Sequence, residues 1–198
     1  MRSEIRNPKS ERSPKPEIRS SRSKVQSPKS KVQRRAFVAL GSNLGDGRGN
    51  VLEAIKRLEG LSRGPLLRSS LWQTAPVDCP PGSPVFVNAV VGFVPRRGET
   101  PETLLAKLQM IEEEFGRQLK KVINEPRPLD LDLIAFGGEI RTTKELILPH
   151  PRAYQRRFVL QPLSEIAPEL LLPGQQKTVA QLLKELPQDQ TIRPLGGD

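Results

Sequence analysis

PRPLDLDLIAFGGE, residues 126–139, reads as a β-strand carrying two acids. Leu129, Leu131, Leu133, Ile134 and Phe136 are apolar, and the run ends at Gly137 and Gly138. Aspartate is depleted in strands, and an unpaired buried carboxylate is costly, yet Asp130 and Asp132 stand inside the run. Side chains two apart on a strand share one face, ~6.6 Å from each other. The pattern therefore predicts that the leucines enter a helix layer and both carboxylates share the opposite face. Two explanations fit. The sheet has one wet face, where alternating Asp is solvating, or the pair holds Mg²⁺, which takes one or two carboxylates plus phosphate oxygens and water.

The surroundings favour a polyphosphate site. Lys120, Lys121 and Arg127 precede the strand; Arg152, Arg156 and Arg157 follow it, beside the single histidine, His150. Guanidinium forks match phosphate oxygens in bidentate geometry. The chain contains no G-x-x-x-x-G-K-[ST], so it has no P-loop. GSNLGDGRGN, residues 41–50, misses the dinucleotide spacing G-x-G-x-x-G because Asn50 stands at the third glycine position. Its glycines are expected to form a mobile loop.

Working outward, the spacing predicts a strand over 36–40, a helix over 50–60, strands over 66–72 and 86–94, and a helix from about 101 to 115. That second helix has Thr100 as N-cap, Pro101 at the first position and Gly116 as its stop. A long proline-rich loop, 74–84, precedes the third strand, and an amphipathic helix is expected near 179–186. The order βαββαβ predicts an α+β, ferredoxin-like sandwich with additional C-terminal elements. The domain is expected to span 36–198. Residues 1–35, rich in Ser, Pro, Lys and Arg, are expected to be a disordered basic tail. Of 32 Lys and Arg and 22 acids, this tail holds 12 and 3, so most of the net +10 belongs to it. No aromatic residues interleave with those charges, which favours a solvated extension over a nucleic-acid arm. One cysteine, Cys79, excludes an internal disulfide. No apolar run approaches the ~18 residues of a membrane span.

Five blocks in order carry a family resemblance: FVALGSNLGD (37–46), WQTAP…FVNAV (72–90), IEEEFGR (111–117), PRPLDLDLIAFG (126–137) and LPHPRAYQRRFVLQPLSEIAPE (148–169). Together they resemble the 6-hydroxymethyl-7,8-dihydropterin pyrophosphokinase family over about residues 36–186. The resemblance implies an ATP-dependent diphosphotransferase of folate biosynthesis that gives AMP and the pterin diphosphate. It implies two Mg²⁺ ions held by Asp130 and Asp132, and ATP as co-substrate contacted by Gln109, Arg117, Arg127, His150 and Arg156. Arg117, Arg127, Asp132 and Arg156 are the implied catalytic set. Thr74, Val77, Phe86, Asn88 and Phe158 are the implied pterin contacts, and Glu112 is an acid of the same site. The chemistry agrees: a pterin needs a ring to stack on, as Phe158, and an amide that both donates and accepts, as Asn88. Phosphoryl-type transfer needs in-line positioning and neutralised charge more than covalent help. Two positions depart from the family pattern. Leu119 stands where a second arginine is usual, and Asn124-Glu125 where Trp-Gly is usual, both in the loop expected to close over the pterin.

A nucleic-acid module is the competing class, because a βαββαβ sheet with a basic arm also fits it. The RRM signature is absent, and Phe86 and Phe93, seven apart, face opposite sides of a regular strand. A folded but inactive relative acting as a partner subunit is the third. The expectation is a monomeric cytoplasmic enzyme acting on small molecules, with neither membrane nor nucleic acid as partner.

Overall fold

The computed structural model describes residues 34–76, 81–116, 126–188 and 191–196, all within the unit Val32–Asp198. Of the expected tail, residues 1–35, residues 1–33 lie outside the described residues; Arg34 and Arg35 are described, the Arg35 carbonyl accepting from the Gly137 N–H at 2.7 Å and Arg34 pairing with Glu139. β1 (Ala36–Ser42) is an inner strand of the sheet, antiparallel to β4 (Phe86–Phe93) on one side and β5 (Asp130–Phe136) on the other. β3 (Trp72–Thr74) and the short β2 (Leu67–Arg68) pair with β4, and β8 (Ile192–Pro194) pairs with β3. The sheet order is β5-β1-β4-β3-β8. The stretch expected as one strand over 66–72 is thus broken. Ser69 interrupts it, with its N–H donating to the Val90 carbonyl and its hydroxyl accepting from the Val90 N–H.

Helices cover both faces. α1 (Gly47–Glu59) and α2 (Pro101–Glu114) lie on one, where Val38, Leu40, Ala89, Val91, Leu131 and Leu133 meet Val51, Leu58, Leu104 and Leu108 in one core cluster. α3 (Arg157–Ile166) and α4 (Val179–Glu185) lie on the other, where Phe37, Ala39, Val90 and Ile134 meet Val159, Leu160, Leu163 and Val179. The sheet therefore has no wholly wet face. α3 was hidden in the sequence by Pro162, which sits inside it and removes one backbone donor. Its buried face, Val159, Leu160, Pro162 and Leu163, offsets that loss.

α2 begins as its sequence dictates, with Thr100 and Thr103 capping each other's backbone N–H and Pro101 in the first turn. It ends at Phe115, with Gly116 at φ +88°. α4 is capped the same way by Thr178 and Gln181. Among the described residues, no helix is long and apolar enough to cross a membrane. The short β6 (Arg141–Thr142) and β7 (Ile147–Leu148) form a separate hairpin.

β5 follows the alternation up to Leu133 and then breaks it. Pairing with β1 shifts between Phe37 and Val38, so Ile134 is an extra residue in the ladder. This bulge explains why LIAF is apolar throughout: Leu133 and Phe136 enter the α1/α2 core, Ile134 and Ala135 the α3 core. The register is strongly fixed. A slip by one residue would expose Leu129, Leu131 and Leu133, costing roughly 5–9 kcal/mol of apolar burial, and drive both acids into the core.

Candidate functional site

The register places the acids. Asp130 lies across from Gly41, and Gly41 lies across from Asn88, so the three occupy one row over β5, β1 and β4. Asp132, Ala39 and Val90 form the next row on the same face. α3 closes over Ala39 and Val90 but leaves the row of Gly41 uncovered by its apolar residues. The polar groups therefore gather at the start of β5, with Arg156, just before α3, near Asp132.

Arg127 and Asp130 pair through Nη1 and Oδ1 at 2.9 Å, and neither is fully exposed. Arg127 Nε is buried without a hydrogen-bond partner among the described residues. A buried orphan donor on a cation is costly unless an anion meets it. Arg156 stands 3.9 Å from Asp132 Oδ2, too far for a strong pair, and its guanidinium lies 5.3 Å from the Phe158 ring centroid. Burial lowers the Arg156 pKa, and the nearby Arg152 charge adds to this; a guanidinium stays charged regardless. The site holds more positive charge than its own acids neutralise.

Burial, then the like charge of Asp130, pushes the Asp132 carboxyl up, against the pull of His150, Arg156 and Arg127. His150 shifts down, chiefly by burial, with Arg156 and Arg152 adding to it. The His150 N–H donates to the Ile134 carbonyl at 2.9 Å, tying its loop to the bulge, and Nδ1 accepts from the Arg152 N–H at 3.3 Å. The proton of the neutral ring therefore sits on Nε2.

On the other side of Gly41, Asn88 is buried and donates through Nδ2 to Thr74 Oγ1 at 2.8 Å. Thr74 lies across from Phe86 in the ladder. Phe158, at the start of α3, is half-buried. Glu112, buried on α2, accepts from the Leu131 N–H at 2.8 Å. It therefore meets the edge of β5 between the two aspartates. Gln109 is one turn earlier on α2 and exposed. Arg157 is turned away: its Nη2 donates to the carbonyls of Leu186 and Pro187 beyond the end of α4. Phe93 is fully buried in the α1/α2 core, so it does not join Phe86 in a stacking surface. Arg117, Val77, Leu119, Lys120, Lys121 and Asn124-Glu125 lie outside the described residues.

The expected mobile glycine loop takes another form. Gly41 belongs to β1, and Gly47 and Gly49 lie inside α1, whose N-cap Asp46 accepts from the Gly49 N–H at 2.9 Å. Sequence reasoning also missed Asn43 and Asn50. Asn43 is buried; its Oδ1 accepts from the Arg127 N–H at 2.9 Å, its own N–H donates to the Arg127 carbonyl at 3.2 Å, and its Nδ2 to the Pro84 carbonyl at 3.4 Å. Asn50 Nδ2 lies within 3.1 Å of the Leu44 and Pro128 carbonyls and 3.3 Å of Ser42 Oγ. The sole signal was for Asn50, an asparagine where a dinucleotide motif would have its third glycine; nothing in the sequence marked Asn43.

Two carboxylates on a rigid strand, with cations around them, fit Mg²⁺ bound to a polyphosphate. Among the described residues no three His, Cys, Asp or Glu side chains gather as a metal cage. The protein would give two oxygen ligands, leaving the rest to phosphate and water, the usual arrangement for Mg²⁺.

Comparison with known proteins identifies a family. The family model described as 7,8-dihydro-6-hydroxymethylpterin-pyrophosphokinase (HPPK) matches residues 28–168. A 2-amino-4-hydroxy-6-hydroxymethyldihydropteridine pyrophosphokinase of Haemophilus influenzae is 36% identical over 159 residues, 80% of this chain and 96% of the relative. One from Synechocystis is 38% identical over 152 residues, 76% of this chain and 75% of the relative. The folic acid synthesis protein fol1 of Pneumocystis carinii is 35% identical over 159 residues, but the chain spans only 21% of that protein. The wild-type HPPK-DHPS structure of Plasmodium falciparum with pteroate superposes with a TM-score of 0.60 at 15% identity, over 77% of this chain and 42% of that one. This last is a likeness of fold.

Proposed function

The chain belongs to the 7,8-dihydro-6-hydroxymethylpterin-pyrophosphokinase family, and we propose that the face bounded by Asn88, Gly41 and Asp130 is where it carries out that family's reaction. The reaction moves the pyrophosphoryl group of ATP onto the hydroxymethyl oxygen of 6-hydroxymethyl-7,8-dihydropterin, a step of folate biosynthesis that leaves AMP. The observation that carries the placement is the shared row: Asn88, Gly41 and Asp130 lie side by side on three adjacent strands. Two strand spacings, about 10 Å, separate the amide from the carboxylate. That is the reach of a bicyclic ring with a one-carbon arm, and glycine leaves the floor between them flat.

In this reading Asn88 takes the donor–acceptor edge of the pterin. Thr74 accepts one amide proton, which fixes the orientation of the amide and leaves Oδ1 and the second N–H for the ligand. Phe158 supplies a ring to stack on, and Phe86 a wall. Arg127, with its unpartnered Nε, and Arg156 hold phosphate oxygens in line with the hydroxymethyl group. His150, neutral with Nε2 protonated, donates to the nucleotide. Gln109 and Arg117 complete the nucleotide contacts. Asp130 and Asp132 would hold Mg²⁺, which supplies charge neutralisation at the bridging phosphate oxygens. The sheet order β5-β1-β4-β3, with α1 and α2 on one face, supports the ferredoxin-like assignment. The test is AMP formation from ATP with the hydroxymethyl-dihydropterin, dependent on Mg²⁺ and lost in Asp130→Ala and Asp132→Ala. Undiminished activity in the double variant would remove the carboxylates from the mechanism.

A further inference from the structure

The glycine- and asparagine-rich stretch 41–50 is conspicuous in the sequence, and none of the roles above uses Asn43 or Asn50. Both side chains turn back onto the segment that enters β5. Asn43 forms a two-bond pair with Arg127, its side-chain Oδ1 accepting from the Arg127 N–H and its backbone N–H donating to the Arg127 carbonyl. Asn50, from the first turn of α1, donates to the carbonyl of the next residue, Pro128. Residues 127 and 128 are thereby held on both sides. What they carry is the Arg127 guanidinium, which meets Asp130 at 2.9 Å. Asn43 also donates to the Pro84 carbonyl, where the proline-rich loop rejoins β4 on the Asn88 side. One buried amide is therefore bonded to the two chain segments that flank the proposed reaction path.

We propose that Asn43, backed by Asn50, is a positioning residue: it sets Arg127 relative to Asp130 and couples that arm to the Pro84 end of the loop on the pterin side. The inference rests on the reading of the site given above. The division of labour follows from amide chemistry. Oδ1 can only accept, so it serves the Arg127 N–H; Nδ2 can only donate, so it serves Pro84. Aspartate keeps the first bond and forfeits the second, whereas alanine forfeits both. A displacement of about 1 Å at a group that must sit in line can cost on the order of a hundredfold in rate, so a tether of this kind acts on kcat.

The experiment compares wild type with Asn43→Ala, Asn43→Asp, Arg127→Ala and Asn43→Ala/Arg127→Ala. It measures AMP formation with Mg²⁺, calorimetric binding of MgATP, and thermal melting, with rates taken well below each melting point. Asn43→Ala should lower kcat by about 10–100-fold. The double variant should be no slower than Arg127→Ala alone, because both changes remove the same function. Asn43→Asp should recover most of the kcat lost in the alanine variant while its pterin KM stays raised. Asn50→Ala gives a second route should Asn43→Ala fold poorly, and the same absence of additivity with Arg127→Ala is expected. Losses that multiply in the double variant, or a lower melting point with kcat, KM and MgATP affinity unchanged, would overturn the proposal. Wild type that forms no AMP would instead defeat the reading of the site. The coupling of Asn43 to Arg127 would then be decided by MgATP affinity in the same set of variants.

Discussion

Gly41→Ala tests the floor of the site with a single methyl group. Gly41 lies between Asn88 and Asp130, and a Cβ built there would stand 3.3 Å from Asn88 Oδ1 and 3.8 Å from Phe86 Cδ1. Its backbone is ordinary strand, so alanine fits without strain, and removing glycine from a strand interior gains roughly 0.5–1 kcal/mol. The close approach to Oδ1 asks the Asn88 amide to move by a few tenths of an ångström, offsetting part of that gain, so melting should change little. The ligand is affected more. A flat ring resting on the strand would be lifted by the methyl and lose good geometry at the Asn88 edge. Weakening those two hydrogen bonds, with buried groups left poorly satisfied, costs about 1–3 kcal/mol, or about 5–150-fold in affinity. The pterin KM should rise by that factor while the ATP KM shifts less than about threefold, since Arg127 and His150 are untouched. The assay is steady-state AMP release with each substrate varied in turn. Unchanged pterin KM in a stably folded Gly41→Ala protein would refute the placement of the ring across this row.

Asp132→Asn should abolish activity while raising the stability of the metal-free protein. The folded state holds this carboxyl above its ordinary range, through burial and then Asp130. Stability is thus full while the group is protonated, below about pH 4, and is lost as pH rises through the folded value. Asparagine escapes that loss. About a third of the side chain is exposed, so the gain is discounted to roughly 1 kcal/mol or less, about 1–4 °C in a neutral-pH melt, and Mg²⁺ should stabilise wild type only. A lower melting point would contradict the charge argument. Glu102 behaves oppositely: Arg141 beside it holds its carboxyl down at about 2, so its contribution is present above ~4.5 and fades as pH falls toward 2. Glu102→Gln should narrow the acid end of the stability profile measured by chemical denaturation and leave AMP formation intact. Glu112→Ala should destabilise by about 1–3 kcal/mol by stranding the Leu131 N–H between the two aspartates. Urea denaturation would show it, and a loss below ~0.5 kcal/mol would mean that water replaces the carboxylate.

The fold was legible where local chemistry and burial agree. β1, β4, α2 and α4 carry plain periodicity and caps, and each stands within a few residues of its expected place. α3 was not legible, because Pro162 argues against a helix locally and only the packing of Val159, Leu160 and Leu163 on the sheet overrides it. β2 and β3 were read as one strand because nothing in LRSSLW shows that Ser69 bonds sideways to Val90. The site divides in the same way. The aspartates announced themselves as the wrong residues for a strand. Arg127 and Arg157 looked alike in sequence, and only tertiary placement sends one to Asp130 and the other to the end of α4.

The residues that escaped the sequence share a physical feature: their work is done by backbone groups of distant segments. Asn43 is 84 positions from Arg127 and 41 from Pro84; Asn50 is 78 from Pro128. No periodicity encodes such bonds, and a side-chain amide that completes them looks like any polar loop residue. The carboxylates, by contrast, are legible because a strand excludes them unless something compensates. It follows that the carboxylates of the candidate site were conspicuous through their cost, and the asparagines bonded to the segment before β5 were not, because each is satisfied. The same contrast predicts where substitutions will mislead. Changing Asp132 relieves the fold and stops the chemistry; changing Asn43 strains both, and only its failure to add to Arg127→Ala separates the two effects.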